Sequence, residues 1–289
     1  MSAAKVLDDD PALSRILARM SEMPVLPHVI FQVMEISSAG DDPAQELERA
    51  IVVDPGFTSK LLSLANSAYF GLPRKVTSIR DAISFLGFKA IRQLAVTVGV
   101  FHAFVGKTDK DSLRRRRWWR HSVDTAVCCR WLARQKNLAP PDEAYTAGLL
   151  HYVGKTLLDR FGGESYEKAE LLMERGVDDL RSEHALYGCD HIEVAVAAAR
   201  EWGFPEELVS ALKYREEPSV SDDFAVHRAC VTLGSEIAAL ALSGWEEDGA
   251  GETKLSEWAL DMLGYTQADV PELLTVAISV VAEAATMQF

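Results

Sequence analysis

The chain has 289 residues, 48% of them hydrophobic, and sets 30 Lys and Arg against 43 Asp and Glu for a net charge of −13. This is enough chain for one large or two small domains with a sizeable core, and its acidic balance excludes a general nucleic-acid binder, which needs a basic face against phosphate. No run approaches the ~20 apolar residues of a spanning helix; the longest candidate, Val270–Ala285, is broken by Pro271, Glu272 and Glu283.

The pattern is helical almost throughout. Asp10-Pro11 opens a helix carrying Leu13, Ile16, Leu17 and Met20 at helical spacing. Met23-Pro24-Val25-Leu26-Pro27 reads as a rigid extended entry to a second helix with Val29, Ile30, Val33, Met34 and Ser37 on one face. Asp42-Pro43 starts a third, carrying Leu47, Ala50 and Ile51. Asp54-Pro55-Gly56 reads as a turn before a helix that holds Phe57, Leu61, Leu64 and Ala65 and stops near Asn66-Ser67. Ser78-Ile79-Arg80-Asp81 reads as a capping box with a short acid. Val96 to Val100 is β-branched enough to suggest a strand, but the longer helical register from Phe88 takes precedence.

Gly106 to Asp111 is polar and marks the internal boundary. Beyond it, Arg114-Arg115-Arg116-Arg117, followed by Trp118, Trp119 and Arg120, reads as a solvated helix start packed by two aromatics; an anion or partner contact is the sharper reading. Helices are expected over about Trp118–Lys136 and Pro141–Phe161. Further helices are expected over Ser165–Arg175, Val177–Tyr187, His191–Trp202, Pro205–Lys213 and Phe224–Leu242, with a last pair near Lys254–Leu263 and Ala268–Ala285. In that last pair, Ala259, Met262, Leu263, Leu273, Leu274, Ile278 and Val281 are expected in the core. Cys128, Cys129, Cys189 and Cys230 lack CxxC spacing, and no N-terminal signal pattern precedes them. Buried thiols in a reducing cytosolic compartment are expected.

His121, His151 and His191 fall on separate helices, and three imidazoles can converge on one cation. A lone helical histidine is more commonly hydrogen-bonded core or surface. In Leu149-Leu150-His151-Tyr152-Val153-Gly154, a phenol follows the histidine where a metal hydrolase would carry Asp. A neutral phenol cannot bridge two metals as a carboxylate does.

Here the chain resembles the HDOD domain family, a branch of the HD metal-dependent phosphohydrolase superfamily, from about Met23 to about Leu242. The resemblance is carried by Leu26-Pro27, Asp54-Pro55, Lys60 to Tyr69 and Ser78-Ile79 with Leu86-Gly87. It continues in Trp119-Arg120-His121-Ser122, Ala147 to His151, Asp190-His191 with Glu193-Val194, and Trp202-Gly203-Phe204-Pro205. It implies an all-α fold in which an N-terminal helical bundle packs on a degenerate HD-type helical core. The expected parts are an N-terminal helix (1–22), the N-terminal half of the domain (23–106), its HD-like half (107–243) and a C-terminal helical extension (252–289).

The resemblance also places the ligand positions of active relatives. The histidine positions fall at His121, His151 and His191, all kept, but the paired Asp falls at Tyr152. A His-His pair falls at Arg215 and Glu216, and a closing Asp at Cys230. Arg215 would then set a permanent positive charge beside any bound dication. The expectation is a module with no catalytic residues, cofactor or metal, cytoplasmic, acting on unidentified signalling proteins, with neither nucleic acid nor membrane as partner. A mononuclear Zn²⁺ on His121, His151 and His191 is the minor reading. The alternatives are a metal-dependent phosphohydrolase of nucleotides or phosphodiesters, and an inactive domain that senses a small-molecule nucleotide, with Arg215 on its phosphate. Candidate partner surfaces lie around Asn66 and Tyr69 and around Arg117 and Trp118. Turn formation inside the fold is the favoured role for the Asn66 segment.

Overall fold

The computed structural model describes residues 11–20, 28–36, 40–67, 70–105, 111–137, 139–219, 222–243 and 253–284. The fold is all-α, with no strand among the described residues. The helices are α1 (Pro11–Met20), α2 (His28–Glu35), α3 (Pro43–Val52), α4 (Pro55–Ala65), α5 (Ile79–Leu86), α6 (Phe88–Val105), α7 (Ser112–Lys136) and α8 (Pro141–Leu150). They continue as α9 (Val153–Phe161), α10 (Glu167–Met173), α11 (Asp179–Tyr187), α12 (His191–Glu201), α13 (Glu206–Ala211), α14 (Ala225–Ser243), α15 (Glu257–Met262) and α16 (Val270–Ala284).

Helices α2 to α6 form the first half, with α6 packed on each of the other four. Arg92 of α6 donates from Nε to the Val33 carbonyl at 3.1 Å and from Nη2 to that of Met34 at 2.5 Å, which pins the end of α2. Asp54-Pro55-Gly56 is the start of α4 rather than a free turn. The Asp54 carboxylate accepts from Gly56 N at 2.8 Å and Phe57 N at 3.0 Å, and Pro55 occupies a position whose N–H has no helical partner. At Ser78 the hydroxyl accepts from Asp81 N at 3.0 Å, the N-cap half of the expected box.

The second half is built on α7, α8 and α14. These helices approach closely because glycines face them. A Cβ at Gly148 would stand 2.8 Å from the Ala126 Cα, and one at Gly234 would stand 2.7 Å from the Cys129 sulfur. Helix α14 is long and apolar enough to cross a membrane, but 67% of its apolar window is buried inside the protein, as a core helix requires. Helix α6 ends at Val105 and α7 starts at Ser112, so the expected internal boundary falls between two helices. The halves meet through α6 on α7, α8 and α9, where the Thr97 and Tyr145 hydroxyls lie 2.9 Å apart.

Helix α1 crosses to the second half, against α9 and α12, and Arg19 donates to the Phe161 carbonyl at 3.0 Å. In the C-terminal pair, Ala259, Leu263, Leu273, Leu274 and Val281 are buried and Ile278 is half-buried, whereas Met262 turns outward at 38% exposure. The expected helix over Pro141–Phe161 is two helices, broken at His151-Tyr152. The cause is local: His151 Nδ1 donates to the Gly148 carbonyl at 2.7 Å, the acceptor that Tyr152 N–H would use in an unbroken helix.

Asn66 closes the loop after α4. Its side chain donates to the Leu62 and Val76 carbonyls at 2.9 Å each and accepts from Val76 N at 2.8 Å. This side chain is engaged inside the fold rather than offered to a partner. Tyr69 lies outside the described residues. Asn66→Ala should therefore cost stability, roughly 2–3 kcal/mol for three bonds, read as a lower urea midpoint at unchanged slope.

Candidate functional site

Three imidazoles converge where α7, the α8–α9 break and the start of α12 meet. His121 and His151 have ring centroids 5.2 Å apart. Tyr152 lies among the three. Its ring centroid is 4.1 Å from that of His151, 4.7 Å from that of His121 and 5.8 Å from that of His191. The residue in the carboxylate position therefore fills the space between the histidines with an aromatic ring.

Both nitrogens of His151 and His191, and Nε2 of His121, face protein partners. His151 Nδ1 holds the Gly148 carbonyl, and its Nε2 faces Ser235 Oγ at 3.4 Å. Ser235 Oγ also stands 3.1 Å from His121 Nε2. One hydroxyl serves both rings if it accepts from His121 and donates to His151, which leaves each ring neutral. Burial first, and the Lys155 charge second, lower the His121 pKa to about 4. Burial also holds His151 well below the usual histidine range, with His121 adding to the effect.

His191 sits at the first position of α12. The capping box of Asp190 and Glu193 fixes that helix start: Asp190 accepts from Ile192 N and Glu193 N at 2.9 Å each, and Glu193 accepts from Asp190 N at 2.9 Å. The His191 backbone N–H, which has no partner within its helix, donates to Glu183 Oε2 at 2.9 Å. The ring donates from Nδ1 to the same oxygen at 2.6 Å, and Nε2 lies 2.9 Å from the Tyr214 hydroxyl. Burial, reinforced by Tyr152 and Asp179, pushes the Tyr214 phenol far up, so it stays protonated.

A cation sits inside the cluster, and the sequence reading missed it. Lys155 of α9 is 6% exposed; its ammonium lies 2.8 Å from Asp179 Oδ2, 3.8 Å from Glu183 Oε1 and 4.7 Å from the Tyr152 ring centroid. Asp179 and Glu183 are four residues apart on α11, so one helix face presents both carboxylates. Burial opposes the charges on Lys155, Asp179 and Glu183. Attraction outweighs it: Tyr152, Glu183 and Asp179 raise the lysine, Lys155 and then His191 lower Asp179, and His191 and then Lys155 lower Glu183 from their ordinary values. The Tyr166 hydroxyl donates to Glu183 Oε1.

The other expected positions make different contacts. Arg215 pairs with Asp178 at 3.0 Å and Asp179 at 3.3 Å, with 41% of its side chain exposed. It is a partly exposed counter-charge to these two aspartates. Glu216 is exposed. Cys230 faces α7, where its carbonyl accepts from the Cys129 thiol at 3.2 Å; burial raises the Cys230 pKa to about 12. The α14 residue that reaches the histidines is Ser235.

The basic run is not a uniformly solvated start. Arg114 and Arg115 are buried and share Asp159 of α9, at 2.9 and 2.8 Å, and Arg114 also reaches Glu170 of α10 at 2.9 Å. Arg116 and Arg117 remain exposed, beside Leu113 at 72% exposure, while half-buried Trp118 stands edge-on to Tyr166 at 4.7 Å.

The residues do not fit the binuclear metal centre of active HD-type relatives. The bridging carboxylate position holds a phenol, five of the six imidazole nitrogens face protein partners, and the Lys155 ammonium lies against the nearby carboxylates of Asp179 and Glu183. Among the described residues, no group of three or more His, Cys, Asp and Glu side chains is arranged to hold a metal ion.

A family model described as the HDOD domain matches residues 23–218. The structure is similar to that of an HDOD domain protein with unknown function from Geobacter sulfurreducens, with a TM-score of 0.76 and 23% identity over 95% of this chain and 97% of that one. A protein described as a candidate phosphohydrolase from Shewanella amazonensis SB2B gives 0.69 and 22%, covering 95% and 98%. One described as a candidate signal transduction protein from Marinobacter aquaeolei VT8 gives 0.67 and 23%, covering 96% and 64%. At these identities the likeness is one of fold. An uncharacterized protein of Treponema pallidum (strain Nichols) is 23% identical over 198 residues, and the match spans 68% of this chain but only 38% of that curated relative.

Proposed function

The chain belongs to the HDOD domain family, and on that premise we propose that it is a non-enzymatic bacterial regulatory module, cytoplasmic, which signals through contacts with other proteins. The observation that carries this reading is the Tyr152 ring, packed 4.1 to 5.8 Å from three imidazoles in the place of a bridging carboxylate. Water activation by paired metals needs ligands that leave open coordination positions, and this cluster closes on itself. Its residues then serve to hold α7, α9, α11, α12 and α14 in register.

A partner surface has to be exposed and chemically distinct. The face of α7 bearing Leu113, Arg116 and Arg117 meets both conditions, and on a chain with a net charge of −13 it is a local basic, apolar patch suited to an acidic protein surface.

Elemental analysis of the purified protein, with a phosphodiesterase assay in added Mn²⁺, tests the reading. The expected result is metal far below one equivalent and no turnover, with capture of a specific protein that is lost on Arg117→Glu. Stoichiometric Fe, Mn or Zn, lost together with activity on His151→Ala, would overturn it in favour of a phosphohydrolase.

A further inference from the structure

We infer that Lys155 is a built-in cation standing where this cluster would otherwise need an external one, and that removing it opens a cation-binding site. The inference rests on the reading that the native cluster takes no metal. Two carboxylates, Asp179 and Glu183, lie on one face of α11, Glu183 wholly buried and Asp179 with 17% of its side chain exposed. A pair of carboxylates in that setting requires positive charge. Arg215 reaches only Asp179, from the outside. The ammonium of Lys155 contacts both carboxylates and lies over the Tyr152 ring, whose π-face attracts cations. A tethered ammonium needs no association step, so the fold holds its charge balance whatever the surrounding metal supply.

Lys155→Ala would leave two carboxylates and an aromatic face around the space vacated by an aliphatic chain and its ammonium. Oxygen donors of this kind suit Mn²⁺, and the vacated shape suits an n-propylammonium ion, which restores the missing atoms.

Thermal melting of the full chain tests this. In EDTA, Lys155→Ala is expected to melt about 5 °C or more below wild type. Mn²⁺ or n-propylammonium should restore half or more of that loss, sodium at matched ionic strength should not, and the wild-type midpoint should move with neither cation. A variant that neither cation restores would overturn the inference, as would a wild-type chain stabilised equally by Mn²⁺. Should Lys155→Ala not fold, Lys155→Met is compared with Lys155→Met/Asp179→Asn. Recovery of soluble, helical protein in the double variant supports the charge argument, and no recovery overturns it. Metal already bound to wild type would count against the proposed function, whereas absent rescue counts only against this inference.

Discussion

Acidification from pH 6.5 to about 4 should remove roughly 3 kcal/mol of stability through His121 alone. The folded protein holds this imidazole neutral down to about pH 4, whereas the unfolded chain takes up its proton near 6.5. Between those values the unfolded state binds more protons, so stability is full above 6.5, declines as the pH falls and levels off below 4. His151 shifts in the same direction and adds to the loss. The physical reason is burial of the His121 ring, with the Lys155 ammonium adding to it. For His151 burial is again the first cause, and a like charge on His121 adds to it. Asp179 and Glu183 act in the same direction but lower on the pH scale: their folded values lie below the ordinary 3.8 and 4.5, so their contribution is full above about 4.5 and is lost as the pH falls below it. Urea denaturation at pH 7.5, 6, 5 and 4.2 checks the effect, with His121→Asn as control. A flat profile in wild type, or the same slope in both proteins, would sink the assignment.

The helices were legible because their signals are local. Asp42-Pro43, Ser78 before Asp81 and the long apolar register from Phe88 each specify an element from a few adjacent residues, and α3, α5 and α6 follow. Three histidines on separate helices allowed convergence, but only the resemblance singled out His121, His151 and His191 as one site, since nothing within any one segment aims an imidazole at another. What the sequence hid depends on contacts between distant elements. Arg115 reaches Asp159 of α9, 44 residues away, so a run of four arginines read as solvent-facing although half of it is buried. Lys155 finds Asp179 24 residues on. A signal for that pair was present: a lysine in an apolar helix four residues after His151, and acids spaced by four at Asp179 and Glu183. A buried cation obliges a search for such a pair. The break at His151 arises from a side chain competing for a backbone acceptor, which periodicity does not register.

Gly154→Ala is expected to be the most damaging small substitution near the cluster, costing about 4 kcal/mol or more. A Cβ at this position would lie 1.8 Å from the His191 carbonyl oxygen and 2.7 Å from its carbonyl carbon. Both are backbone atoms, so no rotamer change relieves the clash; α9 and α12 must move apart. That motion acts on the cluster directly, because His191 opens α12 while Tyr152 and Lys155 flank the start of α9. Separation would lengthen the Glu183–His191 bond and expose the carboxylates that Lys155 neutralises, adding loss of buried ionic contacts to the steric cost. Gly56→Ala is the matched control. Its Cβ would meet only the Asp54 side-chain oxygen, at 3.3 Å, and the change should shift stability by less than about 1 kcal/mol. Circular dichroism melts of the two variants separate the cases. Equal midpoints would show that α9 and α12 yield without penalty, and the cluster's geometry would then not be fixed by their close approach.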